Sequence, residues 1–209
     1  MGWSMYDRGM EKASALDVAA FILAGGKSTR MGTDKAFVDY GGRILLARAL
    51  DVVRSVTFDV HIVGSREKFA AFAPVVEDIF RECGPLGGIH AALLASQCEL
   101  NVMLAVDMPF VSWAFLQYLI SQARGARGAD AVVPRSEGRS QPLCAVYRRG
   151  FAATAEGALR AGQNKIDRLF DGVRTRMISE EELANAGFSV AIFHNLNTPD
   201  ELQEEKGRA

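Results

Sequence analysis

The stretch LAGGKSTRMGTDK, residues 23–35, leaves an apolar run, passes through Gly25 and Gly26, and then sets Lys27, Arg30 and Lys35 close together. Residues without side chains let backbone N–H groups reach phosphate oxygens as a concave nest, and neighbouring cations add charge to the same anion. The ligand that suits this combination is a triphosphate. Two familiar phosphate cradles do not account for it: the residue five past Gly26 is Met31, Gly32 is followed by Thr33 and Asp34, and no GxGxxG occurs in the stretch.

Carboxylates stand where such a ligand needs them. NVMLAVD delivers Asp107 after five largely apolar positions, facing a crevice rather than a core. A carboxylate there suits Mg2+, a hard ion that takes oxygen ligands and bridges phosphates. PVVED ends on Asp78, which is expected beside Asp107 at the same sheet edge, while Glu77 points the other way along its strand. Near the end of the chain FHNLN presents Asn195 and Asn197, whose amides suit a phosphate, a heterocycle edge or a metal, or else cap the turn that follows. Arg148, Arg149, Lys165 and Arg168 offer an anion-binding surface or an ordinary solvated face. His90 reads as solvent-facing or as a satisfied core residue, and Trp113 as the opening of a helix packed on a sheet.

These groups must be held by the elements around them. From Val18, short apolar runs alternate with amphipathic stretches: VAAFILA, RILLARALDVVRSV, FDVHIVG, REKFAAFA and PVVED, then LGGIHAALLASQ, NVMLAVD, WAFLQYLISQAR and DAVVP. Apolar strands separated by helices predict a sheet covered on both faces: α/β class, a three-layer α/β/α sandwich with a Rossmann-like, doubly wound and mostly parallel sheet. In such sheets ligands collect at the carboxyl ends of strands, which is where the glycine-rich stretch and both aspartates fall. After Pro134 the pattern predicts a loop and strand in SEGRSQPLCAVYRR, a helix in FAATAEGALRAG and a short helix in NKIDRLFD capped by Asn164. Strands follow in VRTRMI and FSVAIF, and a helix in TPDELQEEK opened by Thr198 and Pro199 closes the chain. Residues 1–17 fit neither pattern and read as a leader before one domain spanning 18–209.

Composition narrows the partners. With 209 residues, 49% of them hydrophobic, and a formal charge of −1, the chain has room for one buried core and lacks the basic excess that nucleic-acid binding needs. Cys83, Cys98 and Cys144 form no CxxC pair, and His61, His90 and His194 are far apart, which argues against an ordinary zinc site. The cysteines read as reduced packing residues. No apolar run reaches the roughly 20 residues that span a bilayer, so neither membrane nor export is expected, and the cytoplasm is the expected location.

LAGGKSTRMGTDK matches every fixed position of LAGGxSxRMGxDK and so resembles the signature of the molybdenum cofactor guanylyltransferases. Relatives that act on sugar nucleotides or use CTP usually carry a proline where Asp34 stands. VVEDIFRECGPLGGIHAAL, LAVDMPFVS, QPLCAVYRR and FHNLNTPDEL are similar to further segments of that family, so the resemblance runs from about Val18 to Leu202. It implies the nucleotide-diphospho-sugar transferase type of fold and transfer of GMP from GTP to the phosphate of the molybdopterin cofactor, with release of pyrophosphate. It also implies Lys35, Arg30 and Asp107 in catalysis, Asp107 on Mg2+, and Leu23, Ala24, Gly25, Gly26, Lys35, Asp78 and Asp107 at the nucleotide. Backbone groups of Leu23, Ala24 and Gly25 would read guanine and ribose, and the choice of GTP rests chiefly on Gly25 and Asp34. Asn195 and Asn197 would meet the molybdopterin cofactor, and molybdoenzymes or their chaperones would be the protein partners. Two alternatives stay open: a cytidylyltransferase of the same cofactor, and a carrier that keeps the fold without turnover.

Overall fold

A computed structural model describes residues 17–25 and 34–196. The expected leader, apart from Asp17, and the expected closing helix lie outside those residues, as do Gly26, Arg30 and Asn197.

The central sheet is built on β1 (Val18–Leu23), every residue of which is apolar. It pairs in parallel with β4 (Asp59–Val63) on one side and β6 (Leu100–Ala105) on the other. Beyond β4 lies the short β5 (Val75–Val76), also parallel. Beyond β6 the order continues through β9 (Cys144–Arg148), β7 (Ala131–Ser136) and β10 (Thr175–Ile178), while β8 (Arg139–Ser140) pairs with β7. A small separate hairpin joins β2 (Asp39–Tyr40) to β3 (Arg43–Ile44).

The two-residue period of a strand sends alternate side chains to opposite faces. Val18, Ala20 and Ile22 of β1, with Val102 and Leu104 of β6, enter one core; Ala19, Phe21 and Met103 enter the other. The first core is closed by α1 (Leu45–Arg54), α4 (Trp113–Gly125) and α6 (Glu180–Asn185) through Leu46, Leu50, Phe115, Leu119 and Leu183. The second is closed by α3 (Pro85–Ala95) and α5 (Phe151–Arg160) through Leu86, Ile89, Phe151 and Leu159. A one-turn helix, α2 (Arg66–Phe69), lies between β4 and β5. The result is the expected three-layer sandwich. Full burial of a residue such as Phe21 contributes about 1.5–3 kcal/mol, so the strand is held from both faces.

Local chemistry sets the helix starts. Ser112 Oγ accepts the Phe115 amide at 3.3 Å at the head of α4, and Ser179 with Glu182 forms a reciprocal capping box at the head of α6. At the head of α3 the chain comes close to itself: a Cβ on Gly87 would lie 2.7 Å from the Phe80 carbonyl oxygen, so only glycine lets residues 78–83 cross the first turn.

One strand reverses within the mostly parallel sheet, and two expectations need correcting. β9 runs antiparallel to both β6 and β7, because residues 137–143 are too few for the crossover of a dozen or more residues that a parallel return requires. FSVAIF is not a strand but contains a 3₁₀ turn, Val190–Phe193: Ser189 Oγ accepts the Ala191 amide at 3.2 Å, and of the four turn residues Phe193 is the one buried. NKIDRLFD is a 3₁₀ turn over Ile166–Leu169, entered through Lys165 rather than capped by Asn164.

Candidate active site

Lys35 opens a 3₁₀ turn, Lys35–Phe37, that is fixed at several points. Asp34 Oδ1 accepts the Ala36 amide at 3.2 Å and Oδ2 takes Lys68 Nζ at 2.7 Å, while Ala36 is fully buried and Phe37 stacks on Phe69. This anchoring delivers the Lys35 ammonium to the carboxyl edge of β6, where Nζ donates to Asp107 Oδ2 at 2.8 Å. Sequence reasoning placed both residues at one site, and here they are in contact.

Asp107 stands two residues past β6 on backbone pinned from three directions. The Val106 amide bonds the Leu23 carbonyl at 3.2 Å, the Ala105 amide bonds the Leu143 carbonyl at 2.8 Å, and the Asp107 carbonyl accepts the Leu196 amide at 3.1 Å. The last bond brings the segment carrying Asn195 beside the Asp107 loop. The middle one brings in Gln141, Pro142 and Leu143 ahead of β9. Asp167 of the 3₁₀ turn Ile166–Leu169 accepts the Ser140 hydroxyl, so that turn with Lys165 and Arg168 is joined to the same edge.

Asp78 is not on a strand adjacent to β6, since β4 and β1 separate β5 from it. The chain leaving β5 nevertheless carries it back over α3. A Cβ on Gly88 would lie 3.2 Å from Val63 Cγ1, 3.5 Å from Asp78 Oδ1 and 3.8 Å from Leu23 Cδ2, so Asp78 is at the ends of β4 and β1. Burial raises its carboxyl above the usual carboxylate range. Glu77 is turned away, accepting the Arg66 amide at 3.2 Å.

The Ala24 amide donates to the Val63 carbonyl at 3.0 Å and the Leu23 carbonyl takes Val106. Two of the backbone groups expected to read the base and ribose therefore extend the sheet. A Cβ on Gly25 would make only ordinary contacts, 3.8 Å from Gly64 Cα and from the Val63 carbonyl oxygen, so Gly25 lies against the end of β4.

Other expectations turn out to be structural. The reversed direction of β9 carries Arg148 to the amino end of β6, opposite Leu100 and away from Asp107. Its guanidinium donates to the Ala129 carbonyl at 2.8 Å, the Ala123 carbonyl at 3.0 Å and Glu99 Oε1 at 3.1 Å, so it ties down the end of α4. Arg149 lies at the same far edge. His90 is not solvent-facing: it is 1% exposed, its ring nitrogens have no hydrogen-bond partner among the described residues, and its ring meets Phe80 edge-on at 5.2 Å. Burial lowers its pKa, with Arg160 acting in the same direction and Glu156 against it. Trp113 opens α4 as expected but is 53% exposed. The cysteines are free thiols, and burial with the Asp59 carboxylate beside it pushes Cys98 up to about 11.

The structure adds a feature that the sequence did not flag. A cleft of ≈ 610 Å³ opens between Phe110, residues 189–192, His194 and Glu137 of the β7–β8 connection. Its walls come from three distant parts of the chain, so no local motif announces it.

Among the described residues no three His, Cys, Asp or Glu side chains gather into a metal cage. A single carboxylate at Asp107 still fits an ion of the Mg2+ kind, which keeps several waters and binds through one or two carboxylates together with substrate phosphates. A glycine-flanked strand end, a lysine and an aspartate come together at one edge of a mixed, mostly parallel sheet. The solved 2-C-methyl-D-erythritol 4-phosphate cytidylyltransferase from Thermus thermophilus shares the fold, with a TM-score of 0.66 at 18% identity over 92% of this chain and all of that one.

The chain belongs to the family of MobA-like NTP transferase domains, whose model matches residues 20–180. A relative from Pelotomaculum thermopropionicum, named probable molybdenum cofactor guanylyltransferase, is 38% identical over 190 residues, 90% of this chain and 91% of its own. The solved molybdopterin-guanine dinucleotide biosynthesis protein A from Archaeoglobus fulgidus has a TM-score of 0.77 at 28% identity, covering 91% of this chain and all of that one.

Proposed function

We propose that this protein is a molybdenum cofactor guanylyltransferase, transferring GMP from GTP to the phosphate of the molybdopterin cofactor and releasing pyrophosphate. The observation that carries the reading is the Lys35–Asp107 contact at the carboxyl edge of β6, in a chain of this family. An oxygen of the phosphate monoester attacks the α-phosphorus of GTP, the α–β bridging bond breaks, and its electron pair leaves on pyrophosphate. The nucleophile is already ionised near neutral pH, so no general base is required, and catalysis consists of positioning and charge neutralisation.

In this reading Lys35, with Arg30, offsets charge on the α-phosphate and the departing pyrophosphate, and Asp107 orients Lys35 through its Oδ2. A bound Mg2+, held by Asp107 and the phosphates, would supply further charge neutralisation. Leu23, Ala24, Gly25 and Gly26 form the nucleotide edge. Since Leu23 and Ala24 each commit one backbone group to the sheet, much of the base reading falls to Gly25 and to Asp78. Asn195 and Asn197 receive the molybdopterin cofactor. Residues 18–209 act as one nucleotidyltransferase domain. We place the enzyme in the cytoplasm, in keeping with its three free thiols and with helices that, among the described residues, are never long and apolar enough to cross a membrane. Molybdoenzymes or their chaperones would take the product.

The test is pyrophosphate release with Mg2+ and molybdopterin, running GTP, CTP, ATP and UTP in parallel. Release with GTP alone is expected. Preference for CTP would keep the mechanism and change the donor, whereas GTP binding without release would mark a carrier.

A further inference from the structure

We propose that the cleft between Phe110, His194 and Glu137 receives the pterin ring system of the acceptor substrate, with the Glu137 carboxylate pairing its 2-amino-4-oxo edge. The proposal rests on the guanylyltransferase reading and extends it to how the acceptor is recognised.

Position is the first argument. Phe110 is three residues past Asp107, and His194 is two residues before Leu196, whose amide bonds the Asp107 carbonyl at 3.1 Å. Two of the cleft's lining residues thus flank the two segments that this bond ties together. Its Glu137 wall follows β7 and its Phe110 wall follows β6, whereas the groups assigned to the nucleotide, Leu23, Ala24, Gly25 and Asp78, lie at the ends of β1 and β4. A substrate with its phosphate at Asp107 and its ring system pointing away from GTP would extend into this cleft.

Size and lining are the second. A volume of ≈ 610 Å³ falls within the range of about 300–1,000 Å³ usual for small-molecule sites. The wall is aromatic and aliphatic, with Phe110 and His194 ring centroids 6.1 Å apart and Ile192 beside them, and Tyr40 holds Phe110 edge-on from behind at 5.9 Å. Such a wall suits a flat heteroaromatic ring rather than a sugar or a chain of phosphates.

The third argument is Glu137 itself. β7 and β8 are joined by the two residues Glu137 and Gly138, with φ of 53° and 71°. A two-residue hairpin of this hand favours Asn, Asp or Gly at its first position, and a residue with an ordinary side chain there costs roughly 1–2 kcal/mol. Glutamate is the unfavourable choice for the turn, and it places a carboxylate on the rim of the cleft. A pterin offers N3–H and the 2-amino group side by side, two donors that one carboxylate can accept together.

Three variants test the assignment: Glu137→Gln, Glu137→Asn, which removes the carboxylate while suiting the turn better, and Phe110→Ala. Molybdopterin KM, GTP Kd by calorimetry and quenching of pterin-6-carboxylate fluorescence are measured on each, with thermal melts as the folding control. Each variant is expected to raise the molybdopterin KM and the pterin Kd roughly tenfold or more, the scale of a lost charge-assisted hydrogen bond or ring contact, with GTP Kd within about twofold. Glu137→Asn should melt no lower than the parent. Unchanged KM and pterin Kd in all three, with guanylyl transfer intact, would overturn the cleft and leave the enzyme reading standing. No transfer by the parent, with pterin affinity still lost in the variants, would remove that reading and keep the cleft.

Discussion

Lys35→Ala and Asp107→Asn, made singly and together, should show that the two residues act as a unit. Lys35 Nζ lies 2.8 Å from Asp107 Oδ2, and the side chains are 23% and 18% exposed, so the pair is partly shielded from water. Removing one group that stabilises charge in a transition state costs about 10²–10³ in turnover, or ~2.7–4 kcal/mol. If the two contributions were separate, the double variant would lose about 10⁴–10⁶. Contact makes them share the loss: without Asp107 the lysine loses the carboxylate 2.8 Å from it, and without Lys35 that carboxylate loses the ammonium. The double variant should therefore fall only about 10³–10⁴, a coupling of roughly 1.4–2.7 kcal/mol. Pyrophosphate release at saturating GTP, molybdopterin and Mg2+ gives the rates, and circular dichroism with thermal melts confirms folding. A double variant as slow as the product of the singles would refute the coupling, and an unimpaired Asp107→Asn would remove that residue from the site.

Further outcomes follow from residues away from that pair. Removing the two unpartnered nitrogens of His90 with His90→Leu should stabilise the fold by about 1–2 kcal/mol, raising Tm by roughly 2–8 °C. Because burial depresses the folded-state pKa of His90, the unfolded chain takes up the proton first. The parent is therefore expected to hold this stability above about pH 6.5 and lose it as pH falls through the folded value, whereas His90→Leu should show a flatter acid limb in denaturant titrations. Asp78→Ala should raise the GTP KM by roughly fivefold or more through loss of the carboxylate held at the ends of β4 and β1; an unaltered KM would argue against Asp78 at the nucleotide. Arg148→Ala should destabilise by about 2–4 kcal/mol in urea titrations while kcat stays within about twofold, and Arg148→Lys should not restore the loss.

The positions of Asp107 and Lys35 at the sheet edge could be read from sequence because they follow strand ends. An apolar run that stops at an acidic residue, as at Asp107, announces a crevice, and Lys35 sits at the end of a phosphate-binding pattern. Their contact was not legible, because it spans 72 residues and depends on how the Lys35–Phe37 turn docks. Strand direction explains the error at Arg148: a basic residue ending a strand suggests the ligand edge only if that strand runs with its neighbours, and β9 does not. The length of the 137–143 connection carried that information, whereas hydrophobic periodicity did not. FSVAIF imitates a strand because one anchoring residue, Phe193, and a few apolar neighbours give the same alternation as a half-buried strand. His90 escaped because α3 is apolar nearly all round, leaving no polar face to which the ring could be assigned.

The turn in direction at β9 also divides the chain's chemistry along the sequence as well as in space. β6 has a parallel neighbour in β1 and an antiparallel one in β9, and Asp107 leaves the sheet at that seam. The groups we assign to the donor nucleotide all precede Met108 in the chain, whereas those assigned to the acceptor's ring system, and Asn195 and Asn197, follow it. A coding sequence arranged this way can exchange its acceptor by recombination at a single breakpoint near Met108, with the nucleotide half inherited whole. Chimeras joined there would be the natural starting point for redirecting the enzyme to a different phosphate monoester.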